Sequence, residues 1–594
     1  MEFGFVGVSN LKLFGNGGSK LAADFTCARH GVVYSDVFSV RRSKQNLRRV
    51  AMHAYDDSVS SVETETETVT VENTPTSIPE ISPIADSKRI YVADTTDLSL
   101  MDSVHKRKDA ARNEPVTIVV VGASGDLAKK KTFPALFSLF YHDLLPKNFR
   151  IVGYARRHMS DDEFRDLILG SLTCRVIDGA RCGAKMDEFL PRCSYFQGNY
   201  DSRESFEGLS LSFEGFESQF NVANRLYYLA IPPSVFEPAC SSISSTARAP
   251  NGWTRVVVEK PFGRNLDTYT KLQQSMSKML REEEIYRIDH YLGKELVQNV
   301  MTLRFANAVF EPLWNRHYIE SVQIVFKEPF GVEGRAGYFN DIGIVRDIMQ
   351  NHLLQVLALI GMEVPVSLHG EDIRNEKVKL LRSIKPLTLD DFVLGQYRGK
   401  NGSPGYLDDE GVPQSSTTPT FAACAFSINN RRWEGVPFLM KAGKALDARK
   451  AEIRIKFKAT PGDIFGVPAQ MAGNELVLRV QPDEAIYLKI VSKVPGLTSR
   501  LEQARLNLFY RTAWEESKDI PDAYERLILD VIQGEKSLFI RDDELEFAWK
   551  IFDTALAQME LPNAQKPEPY DYGSRGPVES EHLAYKLGVK WSED

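Results

Sequence analysis

Residues 116–125 read Val-Thr-Ile-Val-Val-Val-Gly-Ala-Ser-Gly, and this stretch decides the fold class. A continuous apolar, β-branched run is typical of a strand that is buried on both faces of a parallel sheet. The glycine turn leads into a helical pattern, where backbone N–H groups can approach a pyrophosphate. Val120 stands where the usual first glycine would be. This variant alone leaves a nucleotide site and an ordinary glycine turn equally open.

Further apolar runs extend the predicted parallel sheet. They cover residues 150–155, 225–231 and 254–258, and the first of them ends in Arg156-Arg157. An acid at that position would bind the ribose diol of NAD, whereas an arginine accommodates the 2′-phosphate of NADP. The residues therefore favour NADP, with an exposed basic loop as the alternative.

The bulk composition excludes several classes of protein. A chain of 594 residues is too long for one core, and its net charge of -7 gives no basic field for nucleic acid. No apolar run is long enough to cross a bilayer, so neither nucleic acid nor membrane is a predicted partner. Six cysteines in so long a chain do not make a secreted disulfide scaffold.

The N-terminal segment differs from the rest. Residues 1–50 are basic, poor in acids and rich in small and hydroxyl-bearing residues, which is typical of an organelle transit peptide. A disordered tail is the alternative, and the segment does not distinguish plastid from mitochondrion. Residues 51–112 turn acidic and contain several prolines, so we predict a disordered linker there.

Residues 287–295, Arg-Ile-Asp-His-Tyr-Leu-Gly-Lys-Glu, concentrate reactive side chains in what we predict to be two helical turns. His290 and Tyr291 can donate hydrogen bonds, and Lys294 adds positive charge at i+4 from His290. Such a cluster can bind a phosphorylated sugar. The solvated start of an amphipathic helix is the alternative.

His352 is the candidate general base. It opens an apolar segment, predicted helical, that runs through residue 360, and its unperturbed pKa lies near the operating pH. From the residues alone, a core or capping histidine is the better supported reading. Alternating apolar runs around residues 319–326, 420–427, 451–458, 475–480 and 485–491 predict a large antiparallel sheet with helices on one face.

Four strings of this sequence resemble motifs of the glucose-6-phosphate dehydrogenase family. They are residues 122–131, 259–263 (Glu-Lys-Pro-Phe-Gly), 287–295 and 346–352, and the resemblance covers about residues 114–592. It implies an α/β Rossmann-like coenzyme domain at residues 113–288 and an α+β domain with a large, mostly antiparallel sheet at residues 289–594. It also implies oxidation of D-glucose 6-phosphate to 6-phospho-D-glucono-1,5-lactone with NADP, the first step of the oxidative pentose phosphate pathway. No metal is predicted.

The resemblance also implies a role for individual residues. His352 would be the general base, and Asp289 would be the carboxylate that orients it. Coenzyme contacts are implied for the glycine loop, two further strand ends and one lysine: Gly122, Ala123, Ser124, Gly125, Asp126, Leu127, Ala128, Lys129, Arg156, Tyr228 and Lys260. The 6-phosphate would be held by Lys260, His290, Tyr291 and Lys294. Sugar hydroxyls or their neighbours would meet Glu328, Asp347, Lys444, Arg449 and Gln481. A homodimer or homotetramer is implied as well.

Cys174 and Cys182 stand close together in sequence. From spacing alone, two buried free thiols are favoured in a reducing compartment. The Leu-Thr-Cys-Arg context at residues 172–175 resembles plastidic members of the family, whose matching pair forms a disulfide that thioredoxin reduces. This resemblance implies a regulatory disulfide, thioredoxin as a partner and the plastid stroma as the location, with mitochondrion or cytosol as alternatives.

Two rival functions remain at this point. One is a catalytically inactive subunit that alters the targeting or regulation of an active sister, but His352, Asp289 and Lys294 are all present. The other is an NADP-dependent reductase of a different sugar or polyol. The phosphate-binding residues implied at 290–294 count against this second rival.

Overall fold

The computed structural model describes residues 113–172, 179–468, 471–513 and 520–592. The predicted transit peptide, the predicted linker up to residue 112 and Cys174 of the predicted disulfide lie outside these residues. Among the described helices, none has both the length and the apolar character that a membrane span requires.

The strands are numbered in chain order. They are β1 (Val116–Val121), β2 (Phe149–Ala155), β3 (Cys193–Gln197), β4 (Asn224–Leu229), β5 (Thr254–Val258), β6 (Ile285–Ile288), β7 (Ile319–Lys327), β8 (Phe392–Arg398), β9 (Phe421–Phe426), β10 (Phe438–Gly443), β11 (Lys450–Phe457), β12 (Glu475–Gln481), β13 (Ala485–Lys493), β14 (Leu501–Phe509), β15 (Phe539–Ile540) and β16 (Glu568–Asp571).

The first sheet has seven strands in the order β15-β6-β5-β4-β1-β2-β3. All neighbours from β6 to β3 are parallel, and β15 joins β6 in the antiparallel sense. Every residue of β1 and β4 is buried, because helices cover both faces of such a sheet. The predicted Rossmann-like sheet is confirmed. The predicted boundary at residues 288/289 falls directly after β6 and stays a prediction, since β15 comes from the C-terminal part of the chain.

The second sheet has nine strands in the order β14-β13-β12-β11-β7-β10-β9-β8-β16. Its neighbours are antiparallel except for the parallel pairs β7–β10 and β8–β16. The five predicted alternating runs correspond to β7, β9, β11, β12 and β13, so the prediction of a large, mostly antiparallel sheet is confirmed. One large apolar cluster includes side chains from both sheets.

The α-helices connect and cover the two sheets. They are α1 (Phe133–Tyr141), α2 (Asp161–Leu169), α3 (Gly179–Phe189), α4 (Arg203–Leu211), α5 (Glu214–Glu217), α6 (Phe236–Thr246), α7 (Leu266–Met279), α8 (Glu295–Phe305), α9 (Ala336–Ile344), α10 (Leu354–Gly361), α11 (Gly370–Leu381), α12 (Tyr510–Ala513), α13 (Ala523–Gln533), α14 (Asp542–Met559) and α15 (Glu579–Lys586). Two π-helical segments, Ala128–Thr132 and Val345–Leu353, lie beside the site described below.

The predicted helix at residues 287–295 is wrong. The segment starts as the end of β6, turns at residues 289–294 and becomes helical only at Glu295. His290 and Lys294 are therefore not one helical turn apart. The turn is closed by backbone hydrogen bonds from the Leu292 and Lys294 N–H groups to the carbonyls of Asp289 and Tyr291, at 3.0 and 3.2 Å. The reactive side chains thus project from a strand end and a tight turn.

His352 does not open an α-helix either. It lies near the end of the π-helix Val345–Leu353, and the α-helix begins only at Leu354. A π-helical segment carries one extra residue per turn, is rare, and often marks a functional position.

Candidate active site

The carboxyl ends of the parallel strands carry many of the predicted site residues. Gly122 directly follows β1, Lys260 comes two residues after β5, and Asp289 directly follows β6. The π-helix from the other half of the chain brings His352 against Asp289. Predicted coenzyme and sugar contacts therefore meet at the edge where ligands bind in open α/β sheets.

Asp289 and His352 form the central pair of the site. The Oδ1 atom of Asp289 lies 2.5 Å from Nδ1 of His352, and each side chain is 2% exposed. The same Oδ1 atom accepts a hydrogen bond from the Tyr291 N–H at 2.9 Å. A carboxylate on Nδ1 fixes the tautomer and orientation of an imidazole and leaves Nε2 as the nitrogen that can accept a proton.

The electrostatics of the pair suit a base. Burial lowers the pKa of His352, although the charge of Asp289 opposes this effect. Burial alone would raise the pKa of Asp289, but the charge and hydrogen bond of His352 lower it to about 2. At neutral pH the pair is therefore an ionised carboxylate and a neutral imidazole.

Two rings contact His352, and a third packs against one of them. Tyr291 stacks on it with ring centroids 4.7 Å apart, and His290 meets it edge-on at 4.5 Å. Tyr524, from α13, stacks in turn on His290 at 6.1 Å. Burial and the neighbouring His352 lower the pKa of His290 well below its usual value, so this ring is neutral. Tyr524 could not be predicted from sequence, because only the tertiary fold brings α13 to this position.

The predicted substrate residues pair with one another. Lys260 Nζ donates to the main-chain carbonyl of Asp347 at 2.7 Å and lies 3.3 Å from its Oδ1 atom. The other two pairs are Lys294 Nζ to Gln481 Oε1 at 3.2 Å and Lys444 Nζ to Glu328 Oε2 at 2.6 Å.

Arg449 is exposed. Burial raises the pKa of Tyr291 and the charge of Arg449 opposes this; burial lowers the pKa of Lys294 and the charge of Arg449 acts in the same direction. Among the predicted substrate residues Arg449 is the one that the structure leaves most open to solvent.

The glycine turn after β1 is as tight as its sequence predicts. Gly122 has a φ of +91°, and a Cβ there would lie 2.3 Å from the carbonyl oxygen of Ala230. Its N–H donates to the Tyr154 carbonyl at 2.8 Å, and the Gly125 N–H donates to the Gly122 carbonyl at 2.9 Å. Only glycine fits this conformation, which keeps the backbone accessible to a ligand.

The other residues of the predicted coenzyme loop differ in their exposure to solvent. Ala123 and Ala128 are fully buried, whereas Asp126 is exposed; Ser124, Gly125, Leu127 and Lys129 are partly exposed. The Nζ atom of Lys129 lies 3.7 Å from Oδ1 of Asp126. The loop therefore presents backbone and polar side chains above a buried base, an arrangement that fits a dinucleotide phosphate.

Arg156 and Tyr228 complete the predicted coenzyme set. The exposed Arg156 guanidinium lies over the Tyr200 ring at 5.3 Å, where it can meet a 2′-phosphate. Tyr228 is buried, and its hydroxyl donates to Glu259 Oε1 at 2.5 Å. Burial raises the pKa of Glu259 to about 7, although Tyr228 and Lys260 oppose this. Glu259 was missed from the sequence, but its position just before Lys260 at a strand end was an available signal.

Asp289, His290 and His352 have donor atoms within 4.8 Å of one another, a spacing that a metal ion could use. The hydrogen bond between Asp289 and His352, however, already engages one donor atom of each. This arrangement fits proton transfer better than metal coordination.

Cys182 is buried and takes part in a disulfide. Its predicted partner, Cys174, lies outside the described residues. The buried cysteines 193, 240 and 424 are free thiols, and burial raises the pKa of Cys193 and Cys240 to about 12. They are inert at physiological pH.

Family models match both halves of the chain. "Glucose-6-phosphate dehydrogenase, NAD binding domain" matches residues 119–299, and "Glucose-6-phosphate dehydrogenase, C-terminal domain" matches residues 301–592.

Characterised plant and other proteins are similar over most of the chain. The chloroplastic glucose-6-phosphate 1-dehydrogenase of Spinacia oleracea is 54% identical over 522 residues, which is 86% of this chain and 89% of that protein. The chloroplastic glucose-6-phosphate 1-dehydrogenase 1 of Arabidopsis thaliana is 56% identical over 80% of this chain and 84% of its own length. A solved structure described as glucose-6-phosphate dehydrogenase in complex with its substrate glucose-6-phosphate superposes with a TM-score of 0.77 at 45% identity, covering 81% of this chain and 99% of that one.

Proposed function

The chain belongs to the glucose-6-phosphate dehydrogenase family, and from that membership we propose how its own residues carry out the reaction. The enzyme oxidises D-glucose 6-phosphate to 6-phospho-D-glucono-1,5-lactone with NADP, the first step of the oxidative pentose phosphate pathway. The observation that carries the residue assignment is the 2.5 Å hydrogen bond between Asp289 and the buried, neutral His352.

His352 is the general base of this proposal. Its Nε2 atom takes the proton of the anomeric hydroxyl while the C1–H bond breaks and the C1–O bond gains double-bond character. NADP, when bound, accepts the departing hydride. Asp289 stabilises the imidazolium that forms, since it is already ionised and hydrogen-bonded to Nδ1. Proton and hydride thus both leave the sugar, and the products balance as lactone, NADPH and a protonated base.

The 6-phosphate is assigned to Lys260, His290, Tyr291 and Lys294. Two ammonium groups and two neutral donors provide charge and hydrogen bonds for a dianion. The hydroxyl groups of the sugar and their neighbours are assigned to Glu328, Asp347, Lys444, Arg449 and Gln481. Supporting this assignment, the three pairs described above link Lys260, Lys294 and Lys444 to other members of the same set.

The assignment is tested by His352→Asn in the full chain, with NADPH formation followed at 340 nm. Removal of a general base is expected to lower kcat by roughly 10²- to 10⁴-fold. The KM for glucose 6-phosphate should change by less than about threefold, because His352 is not assigned to the phosphate. A kcat within a factor of about two of wild type would eliminate His352 as the base.

We also propose that the enzyme is a homodimer or homotetramer. β14 is an edge strand of the second sheet and exposes Leu506, Leu508 and Phe509 by 58%, 36% and 41%. Apolar side chains on an unpaired edge favour contact with another copy of the chain. Light scattering of the full chain and of Leu506→Glu tests this, and a wild-type protein that stays monomeric at micromolar concentration would contradict it.

A disulfide between Cys174 and Cys182 is the proposed regulatory element, with thioredoxin as the reductant. The thioredoxin dithiol would reduce the disulfide to two thiols and itself become oxidised. A cavity of about 460 Å³ supports a link to catalysis, because Cys182, Lys131 beside the coenzyme loop and Glu295 at the start of α8 all line it. Reduction is therefore expected to weaken NADP or sugar binding.

The redox proposal is tested with dithiothreitol and with reduced thioredoxin. Cys182→Ser should abolish the response of activity to either reductant, whereas the buried free thiol variant Cys240→Ser should respond as wild type does. An unchanged response in Cys182→Ser would remove the switch and leave the enzyme assignment intact.

The proposed location is the plastid stroma. The relatives from spinach and Arabidopsis are named chloroplastic, and residues 1–50 have the composition of a transit peptide. Import of the full chain into isolated chloroplasts, with mitochondria in parallel, tests this. Processing by mitochondria alone, or by neither organelle, would favour the alternative locations.

A further inference from the structure

A second polar cavity lies at the amino ends of two strands of the first sheet. Its volume is about 680 Å³, and it is lined by residues at the amino ends of β5 and β6, by α11 and by the segment after α13. The site described above occupies the carboxyl ends of the same strands. None of the residues assigned to coenzyme or sugar lines this second cavity.

The cavity wall is rich in cations. It contains Arg248, Arg255, Arg281, Arg374, Lys536 and Arg541. Four glutamates share the wall, but each already pairs with an arginine: Glu284 with Arg248 at 2.5 Å, Glu283 with Arg281 at 2.6 Å, Glu282 with Arg287 at 2.6 Å and Glu371 with Arg541 at 2.8 Å. Glu371 also accepts a hydrogen bond from Nη2 of Arg374. In the part of the chain that the structure describes, the four acids therefore leave two of the six wall cations without a carboxylate partner.

Arg255 and Lys536 are the two cations left over. Among the described residues, no carboxylate lies within 4.0 Å of either one. Nη1 of Arg255 donates to the carbonyls of Val531 and Ile532, at 2.7 and 2.9 Å. These contacts cap the end of α13 and hold the guanidinium in a fixed orientation, but they leave its charge uncompensated.

Lys536 is held in a comparable way. Its Nζ atom donates to the carbonyls of Glu282 and Ile285 at 2.8 and 2.7 Å, and it lies 4.0 Å from the centre of the Tyr286 ring. An ammonium group has three donors, so one remains for a ligand. Arg374 pairs with Glu371 through Nη2, but its buried Nε has no hydrogen-bond partner in the described structure and is a further donor.

The field in the cavity is positive. Burial lowers the pKa of Lys536 to about 7; the charges of Arg374, Arg287 and Arg255 act in the same direction, and the charge of Glu282 opposes them. A buried ammonium group beside guanidinium groups is stabilised when an anion enters, because it then gains an opposite charge.

We propose that this cavity is a second anion site, which binds a phosphate dianion through Lys536, Arg255 and Arg374. The dianion is either free phosphate or the phosphate end of a nucleotide. Fixed guanidinium groups and a half-buried ammonium match the geometry and charge of a phosphate, as in other phosphate sites. Occupancy would tie α11, β5, β6 and the segment after α13 together, at a distance from the reacting atoms.

The test uses equilibrium dialysis of radiolabelled orthophosphate against the full chain. Glucose 6-phosphate and coenzyme are left out, because their own phosphate groups would compete for the cavity. Label bound at the active site is identified as the part that Lys294→Gln loses, and wild type is expected to retain one label per chain beyond that part. Lys536→Gln should bind it roughly tenfold more weakly, the size expected for one charge-assisted contact. Lys550→Gln, which removes an exposed lysine on α14, is the matched control and should behave as wild type does.

Two results would overturn the proposal: no label retained by wild type beyond the part that Lys294→Gln loses, or equal affinity in Lys536→Gln. Thermal unfolding without phosphate checks that the variant is folded. Displacement of the label by unlabelled ATP, at a lower concentration than unlabelled phosphate requires, would identify a nucleotide as the source. Equal displacement would identify the phosphate group alone. NADPH formation by Lys536→Gln without phosphate should match that of wild type, since Lys536 does not touch the active site.

Discussion

Replacing Asp289 with asparagine separates the charge of the central pair from its shape. The amide is nearly the size of the carboxylate but carries no charge, so the 2.5 Å contact to His352 loses its ionic character. A hydrogen bond to a charged group contributes about 1.5–3 kcal/mol, and here it acts on the imidazolium formed in the transition state. The expected loss in kcat is therefore roughly 10- to 160-fold.

The pH profile of the Asp289→Asn variant shows in which direction the pKa of His352 has shifted. The charge of Asp289 raises the pKa of His352 against the effect of burial, so its removal should lower that pKa further. The acidic limb of kcat/KM should then move to lower pH while the plateau falls. The assay is NADPH formation at 340 nm between pH 5 and 9, with glucose 6-phosphate and NADP varied separately. KM for the sugar should stay within about threefold, because Asp289 is not assigned to the phosphate.

A double substitution completes the test. If Asp289 acts through His352, then Asp289→Asn combined with His352→Asn should be no slower than His352→Asn alone. Asp553→Asn serves as a structural control. Asp553 accepts a hydrogen bond from the Leu266 N–H at 2.9 Å and is far in sequence from Asp289 and His352. Fully additive losses, or an acidic limb that moves to higher pH, would refute the orienting role.

Three further substitutions probe the coenzyme side. Glu259→Gln should remove one source of the pH dependence of stability. Because the pKa of Glu259 is raised in the folded protein, its carboxyl group stabilises the fold most below about pH 4.5, and this contribution is lost as the pH rises through about 7. The difference in melting temperature between wild type and variant should therefore change over this pH window. Arg156→Ala should raise the KM for NADP by about tenfold or more while the KM for NAD stays within about twofold, measured from initial rates with each coenzyme. Gly122→Ala should lower the unfolding free energy by roughly 1–3 kcal/mol and abolish coenzyme binding, because of the positive φ and the 2.3 Å approach to Ala230. Gly183→Ala is its matched control, as an added Cβ there meets no atom within 4 Å, and denaturant unfolding of the two variants should differ clearly.

The strands of the first sheet were predictable because burial on both faces leaves mostly apolar residues. β1 and β4 are buried along their whole length, so their composition is uniform enough to recognise without periodicity. The short strands could not be found this way. β6 has four residues and β15 two, too few for a pattern, and β15 belongs to this sheet only through tertiary pairing.

The same limit explains the error at residues 287–295. Charged and aromatic residues in close succession look amphipathic, but the chain here passes from a strand through a turn before α8 starts. The resemblance to known motifs predicted the site residues without reference to local structure, since it depends on the order of the residues alone. It did not predict Tyr524, which lies outside the four recognised strings, or Glu259, which lies in one of them but had no assigned contact. Both came from the packing around His290 and Tyr228.

The pairing of the three site lysines separates their proposed roles. Lys260 and Lys444 each face a carboxylate, of Asp347 and Glu328, so part of their charge is already compensated before substrate arrives. Lys294 meets only the neutral amide of Gln481, and no carboxylate lies within 4.0 Å of it among the described residues. Burial lowers the pKa of Lys294; the more distant charges of Glu484 and Asp522 oppose this, and those of Lys131 and Arg449 act in the same direction. Within the proposed phosphate set, a dianion therefore gains more at Lys294 than at Lys260, whose charge Asp347 already compensates in part. Lys444, outside that set, is better suited to holding the Glu328 carboxylate in place for a sugar hydroxyl.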